Sequence, residues 1–117
     1  MSREIKFRAF HPESGMVPFG FNDVSEGFSQ ASLTFPDDEH YFLDELAVMQ
    51  YTGLKDANGV EIYEDDMLVN EHGNYIVCRF KWFEFWPSGD EDTSFNSETS
   101  TVLGNAYENP ELFQYDK

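Results

Sequence analysis

The sequence predicts a mainly β fold, a β-rich α+β arrangement in which a twisted antiparallel sheet carries one or two short helices. Three observations lead there. Several short segments alternate apolar and polar residues with period two, as half-buried strands do. An Asn-Gly pair, Asn58-Gly59, separates two such segments, the strongest short-range hairpin signal. No segment longer than a few turns repeats its apolar residues at helical spacing. The 117 residues suffice for one domain with a real core, and 12 Phe, 6 Tyr and 2 Trp supply the apolar surface to fill it.

The elements follow in order. In Glu4–Phe10, Ile5, Phe7 and Ala9 share one face while Lys6 and Arg8 share the other. His11 to Gly15 (HPESG) supplies a Pro and a Gly, a turn into a strand over 16–21. Residues 38–49 offer a weak helical face through Leu43, Leu46 and Ala47. Residues 48–54 and 60–63 form the Asn-Gly hairpin, and Glu64-Asp65-Asp66 precedes the apolar Met67-Leu68-Val69. The longest strand expectation is 75–86 (YIVCRFKWFEFW), apolar on both faces towards Trp86 and ended by Pro87. Residues 88–101 read as a mobile acidic loop with Phe95 as its anchor. A strand over 101–107 follows, and Asn109-Pro110-Glu111 places a cap residue, a Pro and an acid as at the start of one helical turn.

Charge sets the limits on function. The chain carries 23 Asp and Glu against 7 Lys and Arg, net −16. Residues 37–72 hold −10 of this and residues 84–117 hold −7, on either side of a +2 segment with Arg79 and Lys81. Such a field repels phosphate, so direct nucleic-acid or anionic-membrane binding is disfavoured. A basic stripe of Lys6, Arg8, Arg79 and Lys81 would arise if strands 4–10 and 75–86 paired; pairing of these cations with the chain's own carboxylates is the simpler expectation. The charged start has no apolar signal-peptide core, and no apolar run reaches the ~20 residues of a membrane helix. The expected location is the bacterial cytoplasm.

Three blocks resemble one family. They are Arg3-Glu4-Ile5-Lys6-Phe7-Arg8-Ala9-Phe10, then Met49 to Asp56 (MQYTGLKD) with Asn58-Gly59 and Glu61-Ile62-Tyr63-Glu64, then Gly104-Asn105 with Tyr107 to Leu112 (YENPEL). In this order they resemble the YopX family of phage and prophage proteins and span residues 3 to 112. The resemblance implies a single domain over 1–117, with N-terminal strands over 1–50 and a barrel-like part over 51–117. It implies a β-rich fold and a phage or prophage origin, but no catalytic residues, because the family supplies none. The block from Glu64 to Val69 looks like the opening strand of a small SH3-like barrel. The family's usual Gly-Asp is here Asp65-Asp66, which strains any positive φ at Asp65. Residues 82–100 match no family pattern.

No catalytic, metal or cofactor set emerges. Cys78 lies within a strand pattern and reads as a buried, inert thiol. His11, His40 and His72 are about thirty residues apart beside turn residues, without metal-ligand spacing. Asp56-Ala57-Asn58-Gly59 is no EF-hand, since its Gly falls at the fourth rather than the sixth position. The leading expectation is a non-enzymatic accessory protein acting through protein contacts and self-association, with Phe80, Trp82, Phe83, Phe85 and Trp86 as the interaction surface. The alternative is an acidic nucleic-acid mimic using Asp37, Asp38, Glu39, Glu64, Asp65, Asp66, Asp90, Glu91 and Asp92. Sixteen charges match about 27 Å of duplex DNA, close to the ~35 Å diameter of such a domain.

Overall fold

The computed structural model describes residues 5–27, 30–79 and 82–114. The fold is mainly β and all strand pairings are antiparallel. It divides into two compact units, residues 1–50 and 51–117. Among the described residues there is no α-helix, and no helix is long and apolar enough to cross a membrane.

In the first unit, β1 (Phe7–His11) and β2 (Gly15–Phe19) form the hairpin that HPESG predicts. Strands β3 (Ser25–Gly27), β4 (Gln30–Thr34) and β5 (His40–Phe42) make a second antiparallel sheet, which the weak alternation of residues 25–34 does not announce. The helix expected over 38–49 is absent. That stretch holds β5, one 3₁₀ turn at Leu43–Glu45 and the start of β6, because Leu43 and Leu46 already reach the core from an extended chain. The core packs Ala9, Phe19, Leu33 and Phe35 with Phe7, Val17 and Tyr41. Period-two alternation in β1 puts Ala9 at its centre.

Strand β6 (Ala47–Lys55) pairs with β1 through its first residues and with β7 (Glu61–Tyr63) through its last. The β6–β7 register shifts between Tyr51 and Lys55, and Gly53 takes the positive φ of 89° within that irregularity. In the second unit the strand order is β10-β9-β8-β11, built from β8 (Asp66–Val69), β9 (Tyr75–Cys78), β10 (Phe83–Phe85) and β11 (Thr101–Asn105). Its core joins Ile62, Leu68, Ile76 and Cys78 to Phe83, Phe85, Phe95 and Val102.

Two strand expectations are corrected here. Residues 75–86 do not form one strand. The chain reverses after Cys78, with Arg79 N–H donating to Trp82 O at 2.8 Å, and β10 returns along β9. Folding back lets Phe83 and Phe85 bury against their own sheet instead of facing outward on an extended ribbon. Strand β1 pairs with β2 and β6, so no pairing with β9 assembles the basic stripe.

The segment after β10 is folded rather than loose. Phe85 N–H donates to Asp90 O (2.8 Å) and Asp92 N–H to Phe83 O (2.7 Å), and Phe95 stacks on Phe83 with centroids 3.7 Å apart. A 3₁₀ turn at Ser97–Thr99 leads into β11, and a second at Pro110–Phe113 is the only helical turn near the described end.

Candidate functional site

Many residues that carry the family resemblance lie in strands β1, β6 and β7, and several others build turns. Asp56 opens the β6–β7 loop and is only 6% exposed. Its Oδ1 accepts from the N–H groups of Asn58 and Val60, and its Oδ2 from Val102 of β11, each at 2.8 Å. Desolvation works against the charged form, but the hydrogen bonds from Val102, Val60 and Asn58 prevail and hold the carboxyl below its usual range. Ala57 N–H adds a bond to Ser100 O at 2.9 Å. One short aspartate thus closes its own loop and ties that loop to a strand 46 residues away.

Gly104-Asn105 and Glu108-Asn109 work the same way. Asn105 Oδ1 accepts from Tyr107 and Glu108 N–H, its Nδ2 donates to Glu108 Oε1, and its own N–H donates to Asn109 Oδ1. A Cβ on Gly104 would meet the Asn109 side chain and lie 2.8 Å from Leu112 Cδ1, so this position has room for glycine only.

The acidic triplets are used unequally. Asp66 is buried and accepts from Tyr63 N–H at 2.8 Å; Asp92 is buried and accepts from Ser94 N–H and Oγ at 3.1 Å. Asp65 has φ 69°, the strained geometry anticipated for a residue standing where the family has glycine. Its carboxylate lies 3.6 Å from Arg79 Nη1, and Arg79 Nε is 3.3 Å from Glu84 Oε1, which also accepts from Trp82 Nε1 at 3.0 Å. Arg79 therefore serves the chain's own carboxylates. In the first unit Asp37, Asp38 and Glu39 form the exposed β4–β5 turn, and a hydrogen bond from the Ser14 hydroxyl is foremost in holding the Asp37 carboxyl below its usual range. Glu64 is half-buried, and Asp90 and Glu91 are exposed.

The aromatic set is mostly internal. Phe83 and Phe85 pack on the core, and Trp86 meets Phe113 edge-on with centroids 5.5 Å apart. Trp82 is exposed; Phe80 and Lys81 lie outside the described residues. Cys78 is fully buried. The three histidines occupy separate settings. His11 stacks on Tyr41, His40 Nδ1 shares a 2.8 Å hydrogen bond with Thr34, and His72 lies 3.7 Å from Glu71. Among the described residues no three His, Cys, Asp or Glu side chains converge as metal ligands would.

The sequence did not reveal an apolar groove of about 420 Å³ in the second unit. Met67 is buried at its floor; Tyr75, Trp86, Leu103 and Leu112 line it, and Glu111 brings a carboxylate. Leu103 reaches it through a bulge, since the β11–β8 register shifts between Val102 and Gly104 and leaves Leu103 unpaired and 41% exposed. The available signal was Leu103 and Tyr75 standing at outward positions of strands whose neighbours are core residues. A second recess of about 270 Å³, with Asn70, His72, Asp92 and Asn96 in its wall, is polar, and its amide and carboxylate oxygens already accept turn N–H groups.

Among curated proteins none matches the sequence. The crystal structure of protein EF1440 from Enterococcus faecalis is similar in fold, with a TM-score of 0.58 at 24% identity, covering 97% of this chain and 100% of that one. The family model described as YopX protein matches residues 6–114, which include the β6–β7 hairpin and the Gly104–Leu112 block. The chain belongs to the YopX family.

Proposed function

We propose that this protein is a non-enzymatic phage or prophage accessory protein that works through protein–protein contacts in the bacterial cytoplasm. The observation that carries the reading is how its polar groups are spent. The buried carboxylates of Asp56, Asp66 and Asp92 are held by backbone N–H groups in turns, while a recess of about 420 Å³ in the second unit is apolar. Concave apolar surface with few polar groups is what a binding module offers a partner.

The test is capture of partners from a bacterial lysate on the immobilised protein, at low and at high salt. Partners retained at high salt support an apolar interface; capture of nothing at either salt overturns the reading. Partners lost at high salt support the second reading, an acidic nucleic-acid mimic, because exposed charge pairing is screened. That reading is favoured by the net charge of −16 and weakened by the inward use of Asp66 and Asp92 and the pairing of Asp65 with Arg79. Self-association belongs to the proposal in a narrower form, through exposed Trp82, and a strict monomer by light scattering at micromolar concentration removes it. An SH3-like barrel over 51–117 is also proposed. Its support is the order β10-β9-β8-β11, the 90–92 segment returning along β10, and the 3₁₀ turn before β11.

A further inference from the structure

We propose that the groove between Trp86-Pro87 and Leu103-Leu112 is a docking site for a short basic-apolar segment of a partner protein, a short run of large apolar side chains flanked by Lys or Arg. This rests on the protein-binding reading above and narrows it to a place and a chemistry. The groove has the anatomy of an anchor pocket: a buried Met67 floor, walls from Tyr75, Trp86, Leu103 and Leu112, and Glu111 at its margin. The bulge in β11 is what supplies Leu103, since the register shift between Val102 and Gly104 leaves that residue out of the ladder.

Charge selects the occupant. Residues 51–117 hold fourteen acidic and four basic side chains, and of the basic ones Arg79 already faces Asp65 and Glu84. An approaching acidic segment meets repulsion along its whole path, and a basic one is steered in. A second copy of this chain brings a further net charge of −16 to a groove that already carries Glu111, so it is the wrong partner for this surface.

The experiment uses the full, isotope-labelled chain and three synthetic peptides, followed by amide chemical shifts. The peptides are KKLFLKK, its acidic counterpart EELFLEE, and KKSGSKK without the anchor. Shifts from KKLFLKK are expected at Met67, Tyr75, Trp86, Leu103 and Leu112. EELFLEE should bind at least about tenfold more weakly, and KKSGSKK should give no shifts in the groove. Leu103→Asp should weaken KKLFLKK about tenfold or more, the scale of losing one anchor contact; Leu103 is part-exposed, so the fold tolerates the change. Glu111→Lys, which leaves the apolar walls intact, should reduce binding severalfold. Three results overturn the proposal: no groove shifts at millimolar KKLFLKK, equal binding of EELFLEE, or equal binding of KKSGSKK. If lysate partners are still captured when the groove variants bind no peptide, only the groove assignment fails; if nothing is captured either, the broader reading fails with it.

Discussion

The two units solve the same problem with different chemistry. The first, residues 1–50, rests on an aromatic and aliphatic core around Phe19, Leu33 and Phe35, and its turns lie at the surface. Among its described residues Ser32 is the buried polar one. The second unit also has an apolar core, yet it buries Asp56, Asp66, Asp92, Ser100 and Asn105 beside it. Those side chains do for loops what ladder bonds do for strands: Asp56, Asp66, Asp92 and Asn105 accept from turn N–H groups, and the Ser100 hydroxyl donates to Asn96 O. The family's sequence blocks lie partly on strands β1, β6 and β7 and partly on these turns, at Asp56 and from Gly104 to Leu112. At Asp56, Asn105 and Gly104 these motifs mark backbone geometry.

Breaking each unit by its own chemistry sharpens the contrast. In the first unit the largest loss should follow Phe35→Ala, about 4 kcal/mol by urea denaturation, because a fully enclosed ring leaves a cavity. Next comes Asp56→Ala in the second unit, expected to cost about 3 kcal/mol by removing the acceptor of three backbone N–H groups. Asp56 also predicts a pH dependence. Its folded carboxyl is held below the unfolded value, so its stabilisation is complete above about pH 4 and is lost as pH falls through the folded value. Wild-type stability should therefore fall in acid more steeply than that of Asp56→Asn, and parallel acid limbs would sink the assignment.

Gly104→Ala should cost about 2 kcal/mol, since Asn109 and Leu112 must both shift to admit a methyl group. A wild-type Tm for this variant would mean that the turn is looser than described. The smallest effect runs the other way. Asp65→Gly relieves a left-handed aspartate and should raise stability by about 0.5 kcal/mol, after the loss of the part-exposed Arg79 pair. A clear loss instead would show that the ion pair outweighs the strain.

What the sequence disclosed follows from which interactions are local. The β1–β2 and β6–β7 hairpins were legible because Pro, Gly and Asn-Gly fix their turns within a few residues. The reversal between Cys78 and Phe83 was not. Arg79 and Trp82 close it without glycine among the described positions, and the alternation runs through it unbroken. The carboxylates were visible as charge, but whether one faces water or a turn depends on contacts such as Asp56 with Val102, far apart in the chain. The groove was hidden for a similar reason, since a bulge one residue long decides where Leu103 points.

The burial of Cys78 has a practical consequence. It is the chain's one thiol and it lies in the core of the second unit at zero exposure. A thiol reagent added under native conditions can label it only when that core opens, so the labelling rate is a clock for the second unit alone. Timed with and without KKLFLKK, the same clock would report whether filling the groove holds this half of the molecule shut.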